Sequence, residues 1–361
     1  MSKQQVSFFW FRRDLRLEDN VGLFHALKSK YTVIPLFIFD DAILDSLPYN
    51  DPRVGFIYEN LSKINTQLLK IESALLVKKG KTLAVWELLL TEFDIKEVFF
   101  NKDYEPYAIK RDSAICELLE TNNAIPFSFK DQVIFEEKEI TKADGLPYTV
   151  YTPFKNKWLE KYKSMAPVLE YDATDVFSNF HKCDFVFPSL EQIGFEKSPI
   201  KVKPHNLKFI ANYQDIRDFP ALDQTSYLSP HLRFGTVSIR KLVNWAFHKN
   251  DVFLSELIWR EFFMQILFSF PRVVTQNFKS AYDGIQWRNN EEDFKRWCTG
   301  TTGYPMVDAG MRQLNETGFI HNRVRMVVAS FLCKHLLIQW QWGEAYFAEK
   351  LLDYDLSANV G

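Results

Sequence analysis

Short apolar runs alternate with segments of helical spacing along the first third of the chain. Residues 6–11 and 33–39 are almost continuously apolar, as expected of strands buried on both faces. The remaining strands are predicted at 74–77, 97–100 and 133–135, and the helices at 20–30, 54–71, 82–92 and 108–121. This alternation predicts an α/β domain built on a doubly wound parallel sheet, with helices on both faces.

Beyond residue 207 the apolar spacing is helical and no alternating strand pattern remains. Helices are predicted at 207–216, 239–249, 252–268, 291–299, 306–316 and 324–339. Six prolines punctuate the stretch before them, which predicts a connection with one helix near 154–163. We therefore expect an α/β domain over 1–131, an inter-domain connection over 132–204 and an all-α domain over 205–361.

The aromatic content, 33 Phe, 15 Tyr and 9 Trp, exceeds what a core needs. It points to stacking surfaces or redox-active rings. The net charge of −2 provides no overall attraction for a polyanion. Nucleic-acid binding would therefore need a local basic patch.

The four cysteines are scattered without a C-x-x-C pair, which indicates buried thiols in a reducing compartment. No H-E-x-x-H spacing or other metal-site pattern occurs. The N-terminus lacks the features of a signal peptide, and no apolar run approaches the ~18 residues of a membrane span. We expect a cytoplasmic protein with no metal site and no membrane segment.

Charged loops follow two of the predicted strands, at residues 11–16 and 101–107. Ligands of parallel α/β sheets bind beyond the carboxyl ends of the strands. The loops therefore indicate either a ligand crevice or ordinary solvated charge. No G-x-G-x-x-G or P-loop follows a strand, which argues against a dinucleotide or triphosphate site of those types.

Two segments of the helical half carry groups that could bind a ligand. Residues 225–230, TSYLSP, place hydroxyls before a helix, where they suit a phosphate group or serve as helix caps. Glu256, Trp259, Arg260 and Phe263 share one helical face and offer an acceptor, a stacking plate and a cation. An extruded nucleobase needs these groups; a salt-bridged helix with a half-buried Trp is the alternative interpretation.

A basic helix start and a polar C-terminal stretch complete the candidates. Residues 321–326, HNRVRM, together with Arg217 and Arg260, could supply the local basic patch. Residues 353–359, DYDLSAN, follow an aromatic helical pattern and suit a polar ligand, unless Asp355 simply caps a helix.

Taken in order, these motifs resemble the photolyase/cryptochrome flavoprotein family, and within it the class I cyclobutane pyrimidine dimer photolyases. The matching stretches are FWFRRDLRLEDN at 9–20, YxxxRDxP at 213–220, TSxLSPHLRFG at 225–235, ELIWREF at 256–262, TGYPMVDA at 302–309, HNRVRM at 321–326 and DxDLxxN at 353–359. They run along nearly the whole chain.

The resemblance implies that FAD lies folded within an all-α FAD-binding domain. The implied cofactor contacts are Tyr213, Thr225, Ser226, Tyr227, Leu228, Ser229, Phe253, Asp353, Tyr354, Asp355 and Asn359. Asn359 would face the reactive edge of the isoalloxazine and tune its redox state. Trp287 and Trp340 match the outer and middle members of a tryptophan relay that re-reduces the flavin. Trp297 and Trp342 do not match it and are assigned to packing.

The resemblance also implies a pocket for a lesion flipped out of damaged DNA. Glu256, Trp259, Asn322, Arg323 and Met326 would line it, and Arg217 and Arg260 would face the DNA. The implied reaction is light-driven repair of cyclobutane pyrimidine dimers by electron transfer from excited reduced FAD, which makes the chain a carbon–carbon lyase acting as a monomer. The alternative is a cryptochrome-like blue-light photoreceptor that binds FAD without repair.

Two departures from the family pattern bear on specificity and cofactors. Asn322 stands where photolyases specific for (6-4) photoproducts are expected to have a second His, which favours the cyclobutane lesion. Tyr107 and Ala108 stand where folate-binding relatives place Asn and Glu, so a second, antenna chromophore of folate or deazaflavin type has no fixed identity. Relatives continue beyond the position of Gly361 with the innermost relay Trp, and we expect a C-terminally truncated chain that exposes an apolar cleft and binds FAD weakly or not at all.

Overall fold

The structure is a computed structural model that describes residues 3–360. The chain divides into two compact units, and neither is a single continuous segment. The first comprises Met1–Ile140, Asn156–Ser198 and Phe234–Trp245. The second comprises Thr141–Lys155, Pro199–Arg233 and Ala246–Gly361.

The first unit is built on a five-stranded parallel sheet. Its strands are β1 (Gln5–Phe11), β2 (Thr32–Asp40), β3 (Leu76–Gly80), β4 (Asp94–Asn101) and β5 (Ile125–Phe129), in the order β3-β2-β1-β4-β5. The doubly wound sheet predicted from the sequence is confirmed. Strand order reverses between β1 and β4, where ligand crevices of such sheets form.

The apolar runs of the strands follow from burial on both faces of the sheet. Phe9 and Phe11 of β1 pack in one buried cluster, and Phe8 and Trp10 pack in another. The helices that supply these clusters are α1 (Val21–Leu27), α2 (Asp41–Leu44), α3 (Pro52–Leu69), α4 (Thr82–Glu92) and α5 (Pro106–Thr121). Successive side chains of a strand point to opposite faces, so a strand covered on both sides needs no polar residues.

Three sequence-based assignments of structure are wrong. Residues 133–135 are buried but form no strand, and the fifth strand is the unpredicted β5. Pro126 and the partial exposure of every residue in β5 suit an edge strand, which gives a weak apolar signal. The last long helix ends at Lys334 rather than 339, and the helix expected over 207–216 is reduced to short turns ending at Ile216.

The second unit is helical. Beyond β5 the chain forms α6 (Tyr151–Met165), α7 (Tyr213–Ile216), α8 (Leu228–Arg233), α9 (Ile239–Phe247), α10 (Asp251–Ser269), α11 (Glu291–Thr299), α12 (Pro305–Thr317), α13 (Asn322–Lys334), α14 (Trp340–Lys350) and α15 (Leu356–Val360). Of these, α9 and α6 lie partly or mostly in the first unit. A core of α11–α14 residues centres on the fully buried Trp297.

A buried network of four charges joins distant parts of the first unit. Both carboxylate oxygens of Asp131 accept hydrogen bonds at 2.8 Å from Arg16, and one also accepts at 2.8 Å from Arg240. Arg240 Nε in turn lies 3.1 Å from both oxygens of Asp19. All four residues are at most 9% exposed. Two cations and two anions balance, as burial of charge requires.

The two charged loops predicted beyond the strands lie after the adjacent strands β1 and β4, and their charges pair with each other. Arg13 lies 3.2 Å from Asp103 and 2.9 Å from Glu105. The side-chain amide of Asn101 donates to Asp14 at 2.6 Å. Burial is the largest cause that raises the pKa of Asp14. The loop charge is therefore internally compensated rather than simply solvated.

Within residues 3–360, no helix combines the length and apolar character needed to cross a membrane. The same part of the chain contains no group of three or more His, Cys, Asp or Glu side chains arranged to hold a metal ion.

Candidate functional site

A cavity of about 810 Å³ opens among the helices of the second unit. Its walls include residues of α8, α10, α13 and α14 and of the segment that follows α14. The lining is mostly apolar with dispersed polar groups. Such a volume and lining are typical of a site for a large cofactor, since ligand pockets span roughly 300–1,000 Å³.

Most of the residues that the sequence analysis assigned to cofactor or substrate line this one cavity. They are Tyr213, Arg217, Thr225, Ser226, Tyr227, Leu228, Ser229, Phe253, Glu256, Trp259, Arg260, Asn322, Arg323, Met326, Trp340, Asp353, Asp355 and Asn359. Trp287 and Tyr354 are not among the described residues that line it. The Tyr354 hydroxyl instead donates to Glu344 at 2.7 Å.

Helix α10 forms the wall that carries the acceptor, the stacking plate and a cation. The side chain of Asn250 caps it, accepting from the backbone amides of Val252 at 3.0 Å and Phe253 at 2.9 Å. Glu256, Trp259 and Arg260 follow at a spacing of three and four residues and line the cavity together. The helical face predicted from their spacing is present.

Tyr151, at the start of α6, contacts this wall and was missed by the sequence analysis. Its ring stacks on Trp259, with centroids 3.5 Å apart and planes at 9°. Its hydroxyl donates to the backbone carbonyl of Ser255 at 2.8 Å. Lys155 Nζ donates to the Ser255 hydroxyl at 2.5 Å. Only proximity in the fold reveals these contacts, because about 100 residues separate the partners.

Three buried polar atoms on the cavity wall have no hydrogen-bond partner among the described residues. They are Thr225 Oγ1, Arg325 Nε and Asn359 Nδ2. Each unsatisfied buried group costs about 1–3 kcal/mol. A ligand with hydroxyl, phosphate and carbonyl groups along its length would satisfy them, and these groups are those of FAD. The residues present therefore fit that cofactor.

Tyr213 and Phe253 supply an aromatic corner of the same cavity, with ring centroids 5.4 Å apart. Burial, with a smaller contribution from the Glu256 carboxylate, raises the pKa of Tyr213 to about 12. The phenol therefore stays protonated at neutral pH and remains available as a hydrogen-bond donor.

The side-chain carboxylates of Asp353 and Asp355 are both ion-paired with arginines of the cavity wall. Asp353 lies 3.0 Å from Arg325, and Asp355 lies 3.4 Å from Arg233. Asp355 also accepts from the Ser357 backbone amide at 3.1 Å, at the start of α15. Asp355 therefore both caps α15 and lines the cavity.

The arginines expected to form a local basic patch are largely neutralised. Arg217 Nη1 lies 2.7 Å from Glu256, and Arg323 Nε lies 2.6 Å from Asp218. Arg325 is paired with Asp353, as described above. Arg217, Arg323 and Arg325 therefore line the cavity, and each lies next to a carboxylate that offsets its charge.

The start of α13 is held by a neutral histidine. His321 Nδ1 accepts from the Arg323 backbone amide at 3.2 Å, and burial lowers the pKa of His321. The next residue, Asn322, is exposed at the cavity wall, and Met326 is 56% exposed one turn further. An amide and a soft apolar side chain thus stand together at the same edge.

Trp340 and Trp297 both line the cavity. The Trp340 indole donates to Asn277 at 2.9 Å, and the buried Trp297 indole donates to the Val328 carbonyl at 3.0 Å. Trp297 therefore forms part of the wall as well as the core to which it was assigned. Trp287 is half-buried.

A parallel α/β unit, together with a helical unit whose cavity fits a flavin nucleotide, defines a flavoprotein architecture. The family model described as DNA photolyase matches residues 7–174, and the one described as the FAD binding domain of DNA photolyase matches residues 253–361. Two curated relatives named deoxyribodipyrimidine photo-lyase, from Halobacterium salinarum and a Synechococcus, are each 34% identical. The alignments cover 99% and 98% of this chain and 81% and 79% of theirs. The chain belongs to the DNA photolyase family.

Solved structures share the fold. An archaeal photolyase from Sulfolobus tokodaii with two FAD molecules has a TM-score of 0.80 and 34% identity, and the match covers 99% of this chain and 81% of that one. A bacterial class III photolyase from Agrobacterium tumefaciens has a TM-score of 0.80 and 31% identity, with 100% and 79% covered. A Synechocystis cryptochrome, at 23% identity and a TM-score of 0.80 with 100% and 81% covered, shows the fold alone.

Proposed function

We propose that this chain repairs cyclobutane pyrimidine dimers in DNA in a light-driven reaction that depends on FAD. The observation that carries the proposal is the single cavity that joins two sets of groups. Buried polar atoms that have no partner among the described residues and suit a flavin nucleotide line the same cavity as Glu256 and Trp259, which suit a nucleobase. The names of the curated relatives support the same activity.

In this proposal Thr225 and its hydroxyl-bearing neighbours bind the phosphate and ribityl part of FAD, and Tyr213 donates a hydrogen bond beside them. Asn359 offers its buried side-chain amide, which lacks a partner among the described residues, to the reactive edge of the isoalloxazine. When bound in its reduced form and excited by light, FAD supplies the electron that splits the cyclobutane ring and accepts it back. Asp353 and Asp355 hold Arg325 and Arg233 in place at the cavity wall.

The substrate-facing residues act by binding and orientation rather than by proton transfer or nucleophilic attack. Trp259 presents its indole to the flat face of the dimer, and Tyr151 fixes the plane of that indole from the other side. Glu256 accepts hydrogen bonds from base N–H groups. Asn322 and Met326 close the opposite edge of the pocket. A damaged pair of bases costs less free energy to flip out of the duplex than an intact one, which provides part of the selectivity.

Arg217, Arg260 and Arg323 are assigned to the DNA backbone. Arginine suits this role because its planar fork of donors binds phosphate oxygens bidentately. Arg260 already approaches the Leu232 carbonyl at 3.5 Å, so its head is held at the cavity wall.

Trp340 and Trp287 are proposed as members of an electron relay that keeps FAD reduced. Trp340 lies on the cavity wall and its indole donates a hydrogen bond to Asn277, which fixes the ring orientation and suits the middle position of the relay. Half-buried Trp287 is placed nearer the solvent end of the relay.

A second chromophore of folate or deazaflavin type is proposed for the first unit, beyond the carboxyl ends of β1 and β4. The aromatic ring of Trp10 there is flanked by the guanidinium groups of Arg12 at 4.8 Å and Arg111 at 5.0 Å. The Tyr107 hydroxyl donates to Asp40 at 2.5 Å. Solvent extraction of the purified protein, followed by chromatography and fluorescence, identifies any such pigment.

We also propose a monomer that works in a reducing, cytoplasmic compartment. The four cysteines are free thiols and are half-buried, rather than fully buried as expected from the sequence. Light scattering of the purified protein tests the monomer.

The decisive experiment illuminates the reduced, FAD-loaded protein with an oligonucleotide that carries one cyclobutane dimer. Chromatography then measures restored pyrimidines against a dark control. Restoration in light only is the expected result. A flavin-loaded protein that leaves every dimer intact would sink the repair proposal and revive the photoreceptor alternative, which the names of the curated relatives do not favour.

A further inference from the structure

One carboxylate lies between two of the arginines assigned to DNA. Asp218 Oδ1 is 2.6 Å from Arg323 Nε and 3.5 Å from Arg217 Nε. Arg217 is paired on its other side with Glu256 at 2.7 Å. Four charges therefore alternate in sign along the edge of the cavity, in the order Arg323, Asp218, Arg217, Glu256.

This row of charges, here called the rim ladder, joins three separate segments. Asp218 and Arg217 lie in the turn after α7, Glu256 lies on α10 and Arg323 lies on α13. The Arg323 and Asp218 side chains are 40% and 54% exposed, and those of Arg217 and Glu256 are 19% and 30% exposed. Asp218 is thus at the outer, solvent-facing end with Arg323.

Ion pairs as exposed as Asp218–Arg323 add little to folding stability, because water screens them and the side chains lose entropy. Stability alone therefore gives no reason for the pair. The Arg323 guanidinium does hold the pKa of Asp218 below its usual value, so the carboxylate is charged at neutral pH. Its electrostatic effect on an approaching polyanion is the more important consequence.

DNA phosphates that approach this edge meet the Asp218 carboxylate beside each arginine. To bind a phosphate, Arg323 must give up or share its carboxylate, and the phosphate must tolerate the neighbouring negative charge. Undamaged duplex binds almost wholly through such phosphate contacts. A flipped-out dimer also gains contacts inside the cavity, such as stacking on Trp259, which Asp218 does not oppose.

We propose that Asp218 is a specificity-determining residue that weakens binding of undamaged DNA by holding Arg323 and Arg217 in the rim ladder. The inference rests on the proposed function, since it assumes that these arginines face DNA. It assigns to Asp218 a role in discrimination, through its two arginine partners, and no contact with the reacting atoms.

The test compares the FAD-loaded wild type with Asp218→Asn, which keeps the size of the side chain and removes its charge. Fluorescence anisotropy in the dark measures Kd for an undamaged duplex and for the same duplex with one dimer. We expect Asp218→Asn to tighten binding of the undamaged duplex about three- to tenfold and to steepen its salt dependence by about one phosphate contact. Binding of the dimer duplex should change by less than about twofold, so the ratio of the two affinities falls.

Asp215→Asn is the matched control. It removes the same charge three residues earlier, and exposed Asp215 forms no ion pair with any residue between 3 and 360. It should leave the affinity ratio near that of the wild type. Asp218→Glu, which restores the charge, should restore most of the discrimination.

Each other outcome has a definite meaning. Equal effects of Asp215→Asn and Asp218→Asn would reduce the role to net charge and overturn the proposal. Weaker binding of both duplexes by Asp218→Asn would assign a structural role instead. An unchanged ratio of the two affinities would also overturn the proposal. If the wild type itself did not prefer the dimer duplex, the proposed function would fail first. If the wild type preferred the dimer duplex and Asp218→Asn showed the same preference, only the present inference would fail.

Discussion

The ring of Tyr151 lies parallel to the indole of Trp259, with the two centroids 3.5 Å apart. The Tyr151 hydroxyl is fixed by the Ser255 carbonyl, one residue before Glu256. One side chain of α6 therefore orients both the stacking plate and the backbone next to the acceptor.

Replacing Tyr151 with Leu should weaken binding of dimer-containing DNA by about two- to tenfold, because an aromatic pair contributes about 0.5–1.5 kcal/mol. Tyr151→Phe keeps the stack and loses only the hydrogen bond, so its effect should be smaller. Anisotropy titrations give both values, and the Trp emission spectrum reports the freed indole. Equal losses for Leu and Phe would assign the effect to the hydroxyl rather than to the stacked ring.

Thr225→Val should have opposite effects on the apo protein and on flavin binding. The substitution removes a buried hydroxyl oxygen that has no partner among residues 3–360, so apo stability should stay equal or rise by up to ~1 kcal/mol. Loss of a ligand hydrogen bond should weaken FAD binding by about 0.5–1.5 kcal/mol. Urea unfolding and quenching of flavin fluorescence measure the two quantities.

The exposed Thr275 provides the control for that pair of measurements. Thr275→Val lies outside the set of residues that line the cavity and should leave FAD affinity unchanged. Unaltered flavin affinity in Thr225→Val would remove Thr225 from the cofactor site.

Asp131→Asn should destabilise the first unit by about 3–5 kcal/mol at neutral pH, because it leaves the two buried cations Arg16 and Arg240 with Asp19 as the one remaining carboxylate of the network. Burial works to raise the pKa of Asp131, and the two arginines overcome it and hold the pKa below its ordinary value. A lowered folded-state pKa stabilises the native state above the unfolded-state pKa of about 3.9, and that contribution is lost as the pH falls through the folded-state value.

Thermal melts from neutral to acid pH check this sign. The stability gap between wild type and Asp131→Asn should narrow only below about pH 4. Asp45→Asn, at an exposed position of the same unit, should show almost no gap at any pH. A gap for Asp131→Asn that widened in acid would contradict the assignment.

Trp340→Phe should abolish most light-driven reduction of the bound flavin while sparing repair by protein that has been reduced chemically. The aromatic ring is kept, so packing against the cavity changes little, but phenylalanine is far harder to oxidise. Absorbance during illumination follows the first effect, and dimer repair assays follow the second. Trp342→Phe, two residues along the same helix, should photoreduce normally, and a matching loss there would remove the special role of Trp340.

The fold was predictable where the local sequence pattern itself reflects burial or helix capping. Continuous apolar runs identified β1 and β2, and Asn290 begins α11 at the predicted residue because its side chain caps the helix. β5 was not predictable, since an edge strand that contains Pro126 lacks the apolar signal of a central one. The buried turn at 133–135 carries that signal without being a strand.

The candidate site likewise has contacts that follow from local sequence and contacts that do not. The shared face of Glu256, Trp259 and Arg260 follows from helical spacing, because neighbours three and four apart lie together. The Tyr151–Trp259 stack and the Asp218–Arg323 pair join residues more than 100 positions apart. Nothing in the local sequence encodes such pairs, so they become visible only once the chain is folded.

The buried network around Asp131 has a consequence for synthesis on the ribosome. Its second cation, Arg240, is made about 110 residues after Asp131. At about 5–20 residues per second, roughly 5–20 s pass in which Asp19 and Asp131 have only Arg16 as a buried cationic partner. The α/β unit, although its strands emerge first, therefore has reason to wait for part of the helical half before it closes, and a nascent chain released before Arg240 would carry an uncompensated charge at its centre.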